Sequence, residues 1–225
     1  MNHLLSAFVI ALFAPAAAAQ DAPLPDMNMI ARALGVSCEY CHVRGVEPSE
    51  PVAIAARRRL DIARAMIEMT AGLNKTVSST TNRVEKTPAV QCVTCHRGVA
   101  IPRQLSEIVL QTTIANGGAA AADQYRELRQ RYYGRQSYDF GEEELLRVVE
   151  RLVSPRPADA IALLTMNLEF HPQSSPSYFL MGQAYVRMRD LDAAIRSLEK
   201  AIELDPTNAI ARGRLTQLID DRDRK

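Results

Sequence analysis

Apolar residues recur at helical spacing along most of this 225-residue chain, and they predict an all-α protein. The first short helix is "MNMIARALG", which Asp26 precedes as a capping residue. One face of this helix is apolar, through Met27, Ile30 and Leu34. We therefore expect a helix that starts directly after Asp26 and ends near Gly35.

A second helix is predicted from about Pro51, since proline is tolerated in a first turn, to Leu73. An apolar stripe follows helical spacing along it, formed by Ile62, Met66, Met69 and Leu73. Such a stripe is typical of a helix that packs against a core. Few, short helices are therefore expected in the first half.

The second half repeats itself with a period of 34 residues. Ala160-Ile161 recurs as Ala194-Ile195, and His171-Pro172 recurs as Asp205-Pro206. Residues 175–208 resemble the tetratricopeptide repeat, with small residues, an aromatic residue and a helix stop at its expected positions. Residues 141–174 form a degenerate second copy. We expect helical hairpins completed by the helix of "YRELRQRYYG" and by a polar capping helix from Ala209.

The domain boundaries follow from changes in composition. Residues 1–19 contain no acidic, lysine or arginine residue, have an apolar centre and end in small residues, as in a cleaved secretory signal. Residues 20–111 hold all four cysteines. The Gly- and Ala-rich stretch 112–123 is interpreted as a linker, and 124–225 as the helical-repeat domain. The apolar centre of this signal is too short to span a bilayer comfortably, and no other segment has the pattern of a membrane helix. We therefore expect an exported, periplasmic protein of a bacterium.

The candidate chemistry lies in two copies of Cys-x-x-Cys-His, "CEYCH" and "CVTCH". Such a motif can bind zinc, close a disulfide, act as a redox pair or attach haem c through two thioethers and a proximal histidine. Haem attachment accounts for the histidine after the second cysteine in both copies, and it agrees with export. The sequence therefore predicts two covalently bound haem c groups, held by Cys38, Cys41 and His42 and by Cys92, Cys95 and His96.

The number of histidines limits which residue can be the second ligand of each iron. The chain has four histidines; His3 belongs to the signal and His171 to a repeat turn, so two bis-histidine irons are impossible within it. Methionine is the alternative soft ligand, and it raises the potential of a c-type haem. Helical spacing does not choose Met66 over Met69, and core packing is the competing interpretation for each methionine.

Residues about 27–102 resemble half of the tetrahaem cytochrome c subunit of bacterial photosynthetic reaction centres. The resemblance rests on "MIARALGVSCEYCH" and on "ARAMIEMTAGLN" followed by "QCVTCHRGVAIP". It implies that Met27 and Met66 are the axial ligands, with Met29 and Met69 as alternatives. It departs from the family in carrying one pair of haem motifs and no histidine in the loop before the second.

These patterns predict a dihaem c-type cytochrome domain followed by a tetratricopeptide-like domain. The expected function is electron transport between redox partner proteins, with docking through the repeats and no enzymatic activity of its own. The net charge of +1 gives no indication of a nucleic-acid partner. Arg57, Arg58 and Arg59 either pair with haem propionates or form a solvated helix face. Two other functions remain open: a haem enzyme or gas or peroxide sensor with one open iron, and a repeat scaffold whose motifs bind zinc.

Overall fold

The computed structural model describes residues 26–79 and 89–224, and this part of the chain is helical without any strand. The all-α prediction is thus confirmed. The signal segment 1–19 lies outside the described residues. The helices are α1 (Met27–Leu34), α2 (Pro51–Ser79), α3 (Cys92–His96), α4 (Leu105–Asn116), α5 (Gly118–Tyr132), α6 (Glu142–Leu152), α7 (Pro157–Phe170), α8 (Ser175–Met188), α9 (Leu191–Leu204) and α10 (Ala209–Asp223).

Both helices predicted in the first half are present. The Asp26 carboxylate accepts a hydrogen bond from the backbone N–H of Asn28 at 2.9 Å, which caps α1 as expected. The second helix, α2, runs to Ser79 and is 29 residues long. The helix therefore ends six residues beyond the predicted Leu73, and the expectation of only short helices was wrong for α2.

The second half packs as antiparallel helical hairpins, α6 with α7 and α8 with α9, followed by α10. The ring of Tyr125 on α5 is buried and lies 5.6 Å from that of Phe140 and 6.0 Å from that of Phe170. Ala211 and Leu218 of α10 bury their side chains against the core that Ala194, Ile195 and Leu198 of α9 form. The predicted packing helix and capping helix therefore both complete the repeat core.

The stretch 112–123 is helical, so its interpretation as an irregular linker was wrong. Only Gly117, with φ of 90°, interrupts the path from α4 to α5. Gly118 approaches α7 so closely that a Cβ there would lie 2.5 Å from the carbonyl oxygen of Asp159. Ala121 and Ala122 are buried behind it. Small residues here permit close helix packing, a role that composition alone does not separate from flexibility.

Two glycines let the chain before the first Cys-x-x-Cys-His motif lie against the chain after the second. Gly35 ends α1 in the left-handed conformation, with φ of 66°. A Cβ at Gly35 would lie 2.1 Å from the carbonyl oxygen of Gly98, which follows the second motif. The Gly98 N–H donates to the carbonyl of Ala33 at 2.8 Å. The backbone after the second motif is thereby fixed against the helix before the first.

None of the helices within residues 26–79 and 89–224 is long and apolar enough to cross a membrane.

Replacing Gly35 with alanine should destabilise the first half of the protein. The substitution adds left-handed strain of about 1–2 kcal/mol and drives a methyl group into the Gly98 carbonyl. Gly45→Ala is the matched control, because Gly45 has φ of 67° but no neighbour within 4 Å of its added Cβ. Thermal unfolding should show a larger loss for Gly35→Ala, and equal losses would contradict the close approach.

Gly182→Ala should destabilise the repeat core by about 1–3 kcal/mol, the usual cost of overpacking. Its Cβ would lie 2.8 Å from Cγ of Leu198. Gly213 is also helical but its added Cβ meets nothing within 4 Å, so Gly213→Ala should instead stabilise α10 by up to about 1 kcal/mol. Urea unfolding followed by circular dichroism measures both changes, and the same sign for both variants would refute this packing.

Candidate haem site

Each Cys-x-x-Cys-His motif forms a helical turn. Cys38–Tyr40 is a 3-10 turn, and the backbone N–H of His42 donates to the carbonyl of Cys38 at 2.9 Å. The second motif is α3 itself, Cys92–His96. All four cysteines carry free thiols. Both motifs therefore present two thiols and an imidazole from one compact turn, the arrangement that haem attachment requires.

One cavity of about 750 Å³ joins the two motifs. This volume lies within the range of roughly 300–1,000 Å³ that is usual for cofactor sites. Seven of the eight predicted site residues line it, namely Cys38, Cys41, His42, Cys92, His96, Met27 and Met66. The eighth, Cys95, lines a neighbouring cleft of about 470 Å³, together with Arg97 and the 136–139 loop.

The segment around this cavity buries almost no apolar surface of its own. Among the described residues up to 104, the buried apolar residues are only Ala33, Ala53, Ala56 and Val99. In contrast, large apolar residues of α2 that line the cavity are exposed, with Ile54 at 43% and Ile62 at 60%. An apolar group in the cavity would cover much of this surface, and such burial is worth about 25 cal/mol per Å².

The charge of the cavity also suits a haem. Arg58 and Arg59 are the permanently charged side chains that line it, and no carboxylate does so among the described residues. Arg57 does not line it. Glu39 lies within the first motif but outside the cavity lining, and a hydrogen bond with the Ser37 side chain lowers the pKa of its carboxyl. An apolar cavity with cationic groups at its wall fits a flat apolar ring that carries carboxylates.

The second histidine is oriented by the backbone. Nδ1 of His96 lies 3.0 Å from the carbonyl oxygen of Val99. With Nδ1 as the donor, the lone pair of Nε2 is left for a metal, as is usual for histidine ligands. His96 lines the cavity, so the imidazole is prepared for a proximal role there.

The four candidate methionines are all exposed, which disagrees with their interpretation as core residues. Met27 is 46% and Met66 is 39% exposed, and both line the cavity. Met29 and Met69 are exposed but are not part of the cavity lining. The position of Met27 and Met66 agrees with a ligand role, although their assignment as axial ligands stays a prediction.

The two Cys-x-x-Cys pairs do not converge into a zinc site. Within the described ranges there is no group of three or more His, Cys, Asp and Glu side chains placed to hold a metal ion. A zinc ribbon requires four such ligands around one ion. The side-chain arrangement therefore does not support the zinc-scaffold alternative.

Two residues of α2 contact the motif turns and were not singled out individually by the sequence. The Arg59 guanidinium donates to the carbonyl of Tyr40 at 2.8 Å, within the first motif. The Asn74 amide forms two hydrogen bonds with the backbone of Val90, just before the second motif. In the sequence, Arg59 was noted only as part of the Arg57–Arg59 triplet, and no pattern indicated Asn74.

Comparison with known families confirms both resemblances. Residues 175–208 match the profile of the tetratricopeptide repeat, and the degenerate copy 141–174 forms the preceding helical hairpin. A search of curated proteins finds no match to this chain. Residues 38–139 match the profile of the photosynthetic reaction centre cytochrome C subunit, and this cytochrome c-like match includes both Cys-x-x-Cys-His motifs as well as α4 and α5.

Proposed function

We propose that the protein is a dihaem c-type cytochrome that carries electrons between redox partner proteins. The observation that carries this proposal is an apolar cavity bounded by both Cys-x-x-Cys-His turns. The match to a cytochrome c subunit profile supports an electron-transfer haem protein rather than an enzyme. A haem bound here would supply reversible one-electron oxidation and reduction of its iron.

The residues of the site divide into three roles. Cys38, Cys41, Cys92 and Cys95 would hold the two haem groups as thioethers. His42 and His96 would be the proximal ligands, and Met27 and Met66 would fill the opposite positions. Methionine ligation would raise the potential of each haem, which suits electron transfer, and Met27 and Met66 would exclude competing small ligands.

Charge around the cavity supports this assignment. Arg58 of α2 lines the cavity, and among the described residues no carboxylate forms an ion pair with it. A propionate would be such a partner, and a charge-assisted Arg–carboxylate contact is among the stronger hydrogen bonds. Arg59 contacts Tyr40 instead, so Arg58 is the better candidate to pair with a propionate.

The helical-repeat part would dock the cytochrome onto a protein partner. The profile match at residues 175–208 supports protein interaction, and tetratricopeptide arrays bind partners along extended surfaces. α8 exposes Val186 and Met188. The partner is proposed as a redox protein because the attached domain carries the haem motifs.

The site of action is proposed to be the bacterial periplasm. The apolar segment 1–19 has the composition of a cleaved export signal, and haem c is attached outside the cytoplasmic membrane in bacteria. Thioether attachment would consume all four cysteine thiols, so that none would be left to form a disulfide in this oxidising compartment.

Haem counting tests the proposal. Protein matured in a host competent for cytochrome c assembly should carry two covalent haem groups by mass spectrometry. The Cys38→Ala/Cys41→Ala variant and the Cys92→Ala/Cys95→Ala variant should each carry one, and each serves as the control for the other. A colourless wild-type protein that purifies with zinc would overturn the proposal in favour of a metal-binding repeat scaffold.

Methionine variants test the axial ligands. Met27→Ala and Met66→Ala should each lower the midpoint potential of one haem and allow carbon monoxide to bind one reduced iron, because each removes a thioether ligand. Met29→Ala and Met69→Ala are the matched controls and should leave both potentials unchanged. Rapid carbon monoxide binding by the wild type at neutral pH would instead indicate the sensor or enzyme alternative with an open iron.

A further inference from the structure

We infer that α2 acts as a strut that sets the relative positions of the two haem-attachment turns, with Arg59 and Asn74 as its positioning residues. The inference rests on the proposed dihaem function. It goes further in assigning a geometric role to two side chains that are neither attachment sites nor iron ligands. Its basis is that one helix is bound to the backbone of both motif regions.

The first attachment is made by Arg59. Nη1 of Arg59 donates to the carbonyl oxygen of Tyr40 at 2.8 Å, and the guanidinium carbon lies 4.2 Å from the centre of the Tyr40 ring. Tyr40 directly precedes Cys41, the second cysteine of the first motif. A planar guanidinium can donate and stack at once, and lysine cannot reproduce this combination. Arg59 therefore restrains both the backbone and the ring of the first turn.

The second attachment is made by Asn74. Its Nδ2 donates to the carbonyl of Val90 at 2.9 Å, and its Oδ1 accepts from the N–H of Val90 at 2.7 Å. Val90 directly precedes Gln91, the N-cap of α3. The Gln91 N–H in turn donates to the Thr94 hydroxyl at 3.0 Å. Asn74 thus fixes Val90, the residue immediately before the N-cap of the second motif helix.

The helix between these two contacts sets a fixed distance between them. Arg59 and Asn74 are fifteen residues apart, which is about 22 Å at 1.5 Å per residue. No described residue of α2 after Ala56 is buried, so specific polar contacts replace a packed protein interface here. Met66 lies between the two attachments and lines the cavity. One rigid helix would therefore hold a proposed ligand and both attachment turns in register.

The inference assigns separate effects to the two residues. Loss of the Arg59 contacts should loosen the turn of His42, and loss of the Asn74 contacts should loosen the turn of His96. A loosened turn weakens the alignment of the proximal histidine with the opposite methionine. Weaker methionine ligation lowers the potential, so each variant should lower one midpoint potential and leave the other at its wild-type value.

The experiment uses the full-length matured protein. Arg59→Ala and Asn74→Ala are compared with Arg57→Ala and Lys75→Ala, which remove exposed side chains at neighbouring positions of α2. Haem content is measured by mass spectrometry, and both midpoint potentials by a spectroscopic redox titration. We expect two haem groups in all four variants, one lowered potential in each test variant, a different haem in each case, and no change in the controls.

Conservative variants keep the test decisive if an alanine variant does not fold. Asn74→Ser keeps a hydroxyl that can make one of the two hydrogen bonds with Val90, and Arg59→Lys keeps the charge but not the planar fork. Each should give a smaller shift of the same potential. The strut is overturned if variants with two haem groups keep both wild-type potentials, or if either variant lowers both equally. A wild type with fewer than two haem groups would instead refute the proposed function.

Discussion

The packing of the first half of this protein is organised around the cavity between the two Cys-x-x-Cys-His motifs. Among the described residues up to 104, the buried apolar residues are three alanines and one valine, whereas long apolar side chains of α1 and α2 are exposed around the cavity. A segment with so little buried surface cannot offset the conformational entropy of ordering from protein contacts alone. A covalently attached apolar cofactor would serve as the missing core, so that binding and folding of this segment become one process.

The backbone contacts determine how such a core could be shared between two motifs. Gly35 and Gly98 allow the end of α1 to lie against the backbone after the second motif, at a distance that a side chain would prevent. Arg59 and Asn74 then attach α2 to both motif regions. Apart from the stacking of Arg59 on the Tyr40 ring, these contacts use backbone carbonyls and N–H groups as partners, so they fix the path of the chain.

Local patterns predicted the parts of the structure that depend on local chemistry. Helix preferences within a few residues predicted the cap at Asp26 and the start of α2 at Pro51. The repeat hairpins followed from the period of 34 residues. The contact of Asn74 with Val90 joins residues sixteen apart, and no periodicity encodes it. The glycines and alanines at 117–122 were misjudged because the same small residues serve flexible linkers and close helix packing.

The helices α4 and α5 connect two parts that are stabilised differently. They pack with α6 and α7 in a conventional apolar core, yet the cytochrome profile extends through them to residue 139. The loop that follows α5 returns to the second motif, where the Ser137 hydroxyl donates to the carbonyl of Arg97 at 2.7 Å. The well-packed core of α4 to α7 is thus attached, through the Ser137 hydroxyl, to the end of the second motif. The boundary predicted at residue 111 lies inside the cytochrome match, because that match includes both α4 and α5. These two helices therefore connect the segment of the two Cys-x-x-Cys-His motifs to the apolar core of the helical repeats.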